Sequence, residues 1–303
     1  MDSTVRQLPS QYIIKDAFRL HTLLAIGAGV QMALSAAVPK PWCFLPTAAI
    51  LALSSAITLV QMSIPFFWYR RRRLVHSYLA GAVPGRSTAH LSTKGPWLLG
   101  QTTSEGESKG GLVVFHFGAR FNHPLGVLAP GARKMTQLFR ATLTALDKDR
   151  NVYSLLGGDL FRGGASGRAS NDTILLVLYF RNVEGLQRFT GSKVHQDASQ
   201  WLRAVTTTTT TTTTKTGSGG EQRHPYLSAF HETFVVPAGG YETLYINTAP
   251  ILLGNTFTES IDPKSEEEGG GSEQDQNLVW VSSLVDADDA RLRTMEARLK
   301  HGK

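Results

Sequence analysis

Two long apolar runs at the start of the chain constrain its fold more than any other feature. Leu20 to Val38 (LHTLLAIGAGVQMALSAAV) has about the length that crosses a bilayer as one helix. Pro39-Lys40-Pro41 interrupts it, and Trp42 to Tyr69 is a second mostly apolar run with Pro65 near its end. Two runs joined by so short a break predict a transmembrane helical hairpin over residues 20–69. A cleaved signal peptide would carry one shorter apolar region and a small-residue cleavage site. Arg6, Lys15 and Arg19 precede the first run, Arg70 to Arg73 follow the second, and Lys40 alone lies between them. Excess positive charge stays on the cytosolic side, so both termini are expected there, on a two-pass anchor of the endoplasmic-reticulum type. Trp42, Phe66, Phe67, Trp68 and Tyr69 sit at the span ends, where aromatic belts form. The alternative is a buried helical pair in a soluble domain, because His21 and Gln31 interrupt the first run.

The same basic block supplies four of the positive charges behind a net charge of +7. Four arginines placed directly after an apolar run read as a topology signal, so no nucleic-acid partner is expected. Cys43 is the one cysteine, which excludes an intrachain disulfide. No CxxC or Cys/His spacing for a structural zinc is present, and no metal site is expected.

The remainder reads as a cytosolic tail (1–19), a basic stop and linker (70–110), a folded domain (111–256) and an acidic loop with a terminal helix (257–303). Pro84 to Gly111 is rich in Gly, Ser, Thr and Pro, as linkers are. In the folded domain, Gly111 to Ala119 predicts a strand. Ala132 to Leu146 predicts a helix, with Met135, Leu138, Phe139, Leu143 and Leu146 at helical spacing. Asn151 to Leu156 predicts a short strand before a glycine-rich loop, Gly157 to Gly167. Asp172 to Arg181 predicts the strongest strand, and 183–190 with 192–205 a broken helical region. Ala229 to Val236 and Tyr241 to Asn247 predict the last strands. That order is the split βαβ, or ferredoxin-like, arrangement of an α+β domain. Strands such as ILLVLYF are apolar on both faces, so the sheet face away from the helices also needs cover. Two sheets paired across a two-fold axis would supply it, giving a homodimeric α+β barrel; the carboxy-terminal segment of the same chain is the alternative cover. The threonine run with its glycine-rich tail (206–220) and the acidic stretch Asp262 to Asp275 are low-complexity segments with no expected chemistry. Asp286 to Lys300 predicts a charged amphipathic helix.

The densest set of ionisable residues is His224 to Ala249, HPYLSAFHETFVVPAGGYETLYINTA. Neighbours on a strand point to opposite faces, so only one of His231 and Glu232 can enter a given cavity. His195 opens a helical stretch, and Trp201 follows six residues later. His116 shares a strand face with Val114, as a cavity base or a backbone-bonded core residue. Tyr179 lies opposite Phe180 and needs a hydroxyl partner when buried. Glu232 and Glu242 are carboxylates in apolar surroundings: bases if unpaired, structural if held by an arginine such as Arg120, Arg140 or Arg181. The glycine-rich loop lacks the GxxxxGK[ST] order of a phosphate loop, and no HExxH is present.

The blocks VVFHFGARFNHPLG, FRATL, YSLLGGDLF, TILLVLYFRNVEGLQRF, His195 with Trp201, and the final block from His224 to Gly254 together resemble a fungal family of membrane-anchored monooxygenase-like proteins. That family is akin to the antibiotic-biosynthesis-type monooxygenase of the fumagillin cluster. Phe180, where Trp is expected after Tyr179, and the threonine run depart from its pattern. The resemblance implies a dimeric α+β barrel that tailors a lipophilic polyketide or terpenoid with molecular oxygen and no cofactor. A base removes an acidic proton and the carbanion passes an electron to oxygen. His195, His231 or Glu232 would be the base; Tyr179, Asn122 or Asn247 the donor to the enolate; Phe115, Phe117 and Phe234, with His116, Trp201 and Glu242, the lining. Related dehydratases of this fold use haem, so a histidine acting as an axial iron ligand is the alternative. A non-catalytic membrane-tethered binding module is a third reading. Lipid, substrate and a second copy of the chain are the expected partners.

Overall fold

A computed structural model describes residues 20–40, 42–68, 81–91, 111–123, 125–163, 173–206, 223–261, 278–290 and 292–301. The chain divides into two compact units, one within Phe18–Ala82 and one from Val83 onward. The threonine run beyond Thr206, the acidic stretch 262–275 and the Arg70–Arg73 block lie outside the described residues.

The first unit holds helix α1 (Leu20–Ala37), a 3-10 turn at Trp42–Phe44 and helix α2 (Leu45–Trp68). Gln31, the polar interruption of the first run, is satisfied within the unit. Thr47 Oγ1 donates to its Oε1 at 2.7 Å, and its Nε2 donates to the Cys43 carbonyl at 3.3 Å. Two helices form as the sequence predicts, but they differ as candidate spans. Among the described residues only Trp42–Val60 is long and apolar enough to cross a membrane, whereas the apolar part of α1, Thr22–Ala37, is shorter. The two-pass topology is therefore not supported.

The second unit is mixed helix and sheet with antiparallel pairing throughout. Its centre is a four-stranded sheet of β2 (Leu112–Phe121), β3 (Leu155–Arg162), β4 (Thr173–Phe180) and β5 (Leu227–Val236), in the order β3-β4-β2-β5. Helix α3 (Ala132–Lys148) connects β2 to β3, and α4 (Val183–Thr190) with α5 (Lys193–Thr206) connects β4 to β5. This is the split βαβ order. The Asn182 side chain caps α4 by accepting from the Gly185 amide at 2.8 Å. Alternation then sorts the sheet. Val113 and Phe115 of β2, with Leu176, Leu178 and Phe180 of β4, pack with Leu143, Leu146, Leu186 and Phe189 of the helices. Leu112 of β2 and Val177 and Tyr179 of β4 face the other way.

That second face is covered in part by the chain itself. Strand β1 (Val83–Ala89) lies between β6 (Tyr245–Thr248) and β9 (Leu284–Asp286) in a three-stranded sheet. Ala89, Leu91, Tyr241, Tyr245 and Leu253 pack on Leu112, Leu156, Val177 and Tyr179. Asp159 of β3 accepts from the Leu252 amide and from Asn255 Nδ2, fastening the layer to the sheet. Strands β7 (Phe257–Ile261) and β8 (Leu278–Ser282) form a separate pair. The Arg150 guanidinium lies 3.4 Å from the Trp280 ring centroid.

Four expectations change. Val83–Ala89, within the expected linker, is a strand: composition hides it because its partners lie far along the chain. Strand β3 runs through Gly157 and Gly158, where a loop was expected. A Cβ on Gly158 would meet the Val177 carbonyl oxygen at 2.4 Å, so glycine there permits close strand approach rather than a flexible turn. The strand expected over 241–247 is the short β6, and it joins β1 rather than the main sheet. The expected helix 286–300 is confined to α6 (Met295–His301), and its Arg298 is buried rather than solvated.

Candidate active site

Strand β2 carries its odd-numbered residues toward the helices, and β5 follows in register: Phe117 pairs with His231, and His116 with Glu232. His231 therefore faces the helices and Glu232 the opposite side. A cavity of about 260 Å³ opens between the sheet and α3 and α5. Its apolar wall is Phe117, Met135, Leu138, Phe139, Trp201 and Leu202, and its polar groups are Thr142, His195, Ser199, Arg203 and His231. His195, half-buried, meets the Phe189 ring edge-on at 5.2 Å and lies 6.5 Å from Phe117. His231, exposed at the rim, lies 5.7 Å from Phe115. Burial is the first cause that lowers the His195 pKa below the usual histidine value, and the charge of His231 is the second. His195 is thus neutral at pH 7, the form that accepts a proton. Thr142 is committed to its helix, donating to the Leu138 carbonyl at 3.0 Å.

The other expected site residues lie elsewhere. His116 Nδ1 stands 3.5 Å from Glu232 Oε2 on the face away from the cavity, with Phe234 edge-on to the imidazole at 5.4 Å. Glu232 is two-thirds exposed there. Tyr179 is buried in the second core, with its pKa raised by burial first and then by Tyr245 and Asp159, beside a backbone hydrogen bond with Leu253. Glu242 pairs with Arg298, not with any of the three arginines expected. Asn247 Oδ1 accepts from the Gly85 amide at 2.8 Å, and Asn122 is exposed at the end of β2, donating to Ser228 Oγ at 3.3 Å. None of Tyr179, Asn122 and Asn247 lines the cavity. Ser199 and Arg203 do, and neither is among the expected site residues. Their signal was available: His195, Ser199 and Arg203 are spaced four apart, one face of a helix.

A split βαβ sheet with two histidines lining one largely apolar cavity on its helix side defines the architectural class. A family model described as Monooxygenase af470-like matches residues 112–253. The chain is 31% identical over 289 residues to Monooxygenase af470 of Aspergillus fumigatus, covering 95% of this chain and 90% of that one. The chain belongs to the monooxygenase af470-like family. Among solved structures, an aldoxime dehydratase crystallised with butyraldoxime is 11% identical, with a TM-score of 0.35 over 76% of this chain and 46% of that one. A possible oxidoreductase from Bacteroides thetaiotaomicron is 9% identical, with a TM-score of 0.25 over 42% and 98%. Likenesses of this size decide neither fold nor chemistry.

Proposed function

We infer that the helix-side cavity is the active site of a monooxygenase that oxidises a lipophilic substrate, of polyketide or terpenoid type, without a cofactor. The observation that carries the reading is His195 held neutral against His231 in a largely apolar cavity. His195 takes a proton from an acidic C–H, with His231 at the rim of the same cavity. The carbanion passes one electron to oxygen, the radicals combine, and loss of water from the peroxide leaves a carbonyl; a CH2 and O2 become C=O and H2O. Ser199 is placed to donate to the enolate. The apolar walls keep water from quenching the carbanion.

Haem is the alternative cofactor, with His195 or His231 of the cavity lining as the residue that would hold its iron. The deciding experiment is oxygen consumption with candidate substrates after metal chelation and flavin removal. Retained turnover is expected. Complete loss, or a Soret band on the purified protein, overturns the cofactor-free version.

A membrane attachment through Trp42–Val60 would bring the enzyme to an apolar substrate dissolved in the bilayer, at the endoplasmic reticulum in this reading. Retention in the membrane pellet after carbonate washing is the expected result. A second copy of the chain is proposed to complete the barrel over β5, which exposes Phe230, Phe234 and Val235. Light scattering at the mass of a monomer would remove that part of the reading.

A further inference from the structure

Helix α5 borders two different environments that share its His195, Ser199 and Arg203. One is the apolar cavity. The other is a shallow recess formed by Thr190, His195, Gln196, Ser199, Gln200 and Arg203. The recess has no hydrocarbon wall comparable to the cavity; its side chains are hydroxyls, amides, an imidazole and one guanidinium. Arg203 is exposed, and among the described residues it makes no hydrogen bond or ion pair. Arg188 of α4, by contrast, donates to the Val152 carbonyl at 2.7 Å. The one acid of α5, Asp197, is held by Lys193 at 3.0 Å and does not border the recess. Among the described residues, the recess therefore has a cation without a counter-charge, set next to donors and opening beside an apolar cavity.

We propose that the substrate is an amphiphilic anion, a carboxylate on a hydrocarbon body, whose body fills the cavity while its carboxylate is bound by Arg203 with Gln196 and Gln200 in the recess. A planar guanidinium matches a carboxylate in two parallel hydrogen bonds and stays charged at every physiological pH. Arg203 is then a specificity residue. It fixes which carbon of the body lies beside His195, one turn before Ser199 and two before Arg203. This assignment rests on the cavity being the active site, and the experiment separates the two.

The full chain in lipid nanodiscs is titrated calorimetrically with octanoate and with 1-octanol, with empty nanodiscs subtracted. Octanoate should bind roughly 10- to 100-fold more tightly than octanol, the usual worth of hydrogen bonds to a charged group. Arg203→Gln should abolish that preference by weakening octanoate alone, and Arg203→Lys should restore part of it. Arg203 is exposed, so the variants keep their fold. Equal binding of acid and alcohol, or octanoate binding indifferent to Arg203→Gln, overturns the anion assignment and leaves the cavity standing. Binding of neither probe overturns the cavity reading and the anion assignment together.

Discussion

The two faces of the main sheet are made from the same strands and do opposite work. Toward the helices, Phe117 and His231 border open space with His195. Away from them, Tyr179 and Asp159 are buried beneath a layer supplied by distant parts of the chain. Ionisable groups occur on both faces, but those beneath or within the added layer are tied: Asp159 to the Leu252 amide and Asn255, Glu242 to Arg298. An unusual density of polar residues on strands thus has two causes. One is a cavity that uses them, and the other is a second layer that must be latched on.

The sharpest way to break this contrast is to exchange a residue on each face. His195→Ala should lower turnover by roughly 10²- to 10⁴-fold, the ordinary share of a general base, with an unchanged melting curve. An activity within threefold of wild type would remove His195 from the chemistry. Asp159→Ala should do the reverse. It strips the acceptor from two donors in the second layer and should cost about 2–3 kcal/mol in urea unfolding, leaving turnover per folded molecule intact. Gly131→Ala tests the helix side for architecture alone. Gly131 begins α3 at φ +80°, and a Cβ there would lie 2.4 Å from the His224 ring. A loss of about 1–2 kcal/mol is expected, and calorimetry at fixed pH measures it.

Protonation gives a finer test. Because the His195 pKa is depressed in the folded state, its contribution to stability is whole above the ordinary histidine pKa. It is lost as pH falls below that value toward the folded one. In kcat/KM the ascending limb should therefore lie below the ordinary histidine value, and His231→Gln should move it upward by removing the second cause. A limb unmoved by that change would show that the two imidazoles act separately. Smallest of all, Glu232→Gln should change stability by less than about 0.5 kcal/mol and turnover by less than twofold, as for a solvent-exposed pair. A large loss of turnover would return chemistry to the outer face.

Much of the sheet was legible because its signals are local. The apolar run of β4 and the helical spacing of α3 announce themselves, and alternation alone separated His231 from Glu232. Which of those two faces the helices needed the pairing of Phe117 with His231, which no local pattern carries. The three donors expected beside the base, Tyr179, Asn122 and Asn247, were chosen by chemistry. Only the layer built from β1, β6 and β9 explains why two of them are structural. Arg298 as the partner of Glu242 was invisible for the same reason: the two are separated by 56 positions. Ser199 and Arg203 were within reach of a helical-wheel argument applied from His195.

Strand β1 has a consequence for how the molecule comes into being. It leaves the ribosome early, yet Gly85 waits for Asn247, 162 positions later, and Arg86 for Asp288, 202 positions later. The sheet it centres cannot close until nearly the whole polypeptide has been made, and closure over such spans slows folding. During synthesis β1 is a bare strand with both edges open, a window in which chaperones and misfolding compete for the nascent chain.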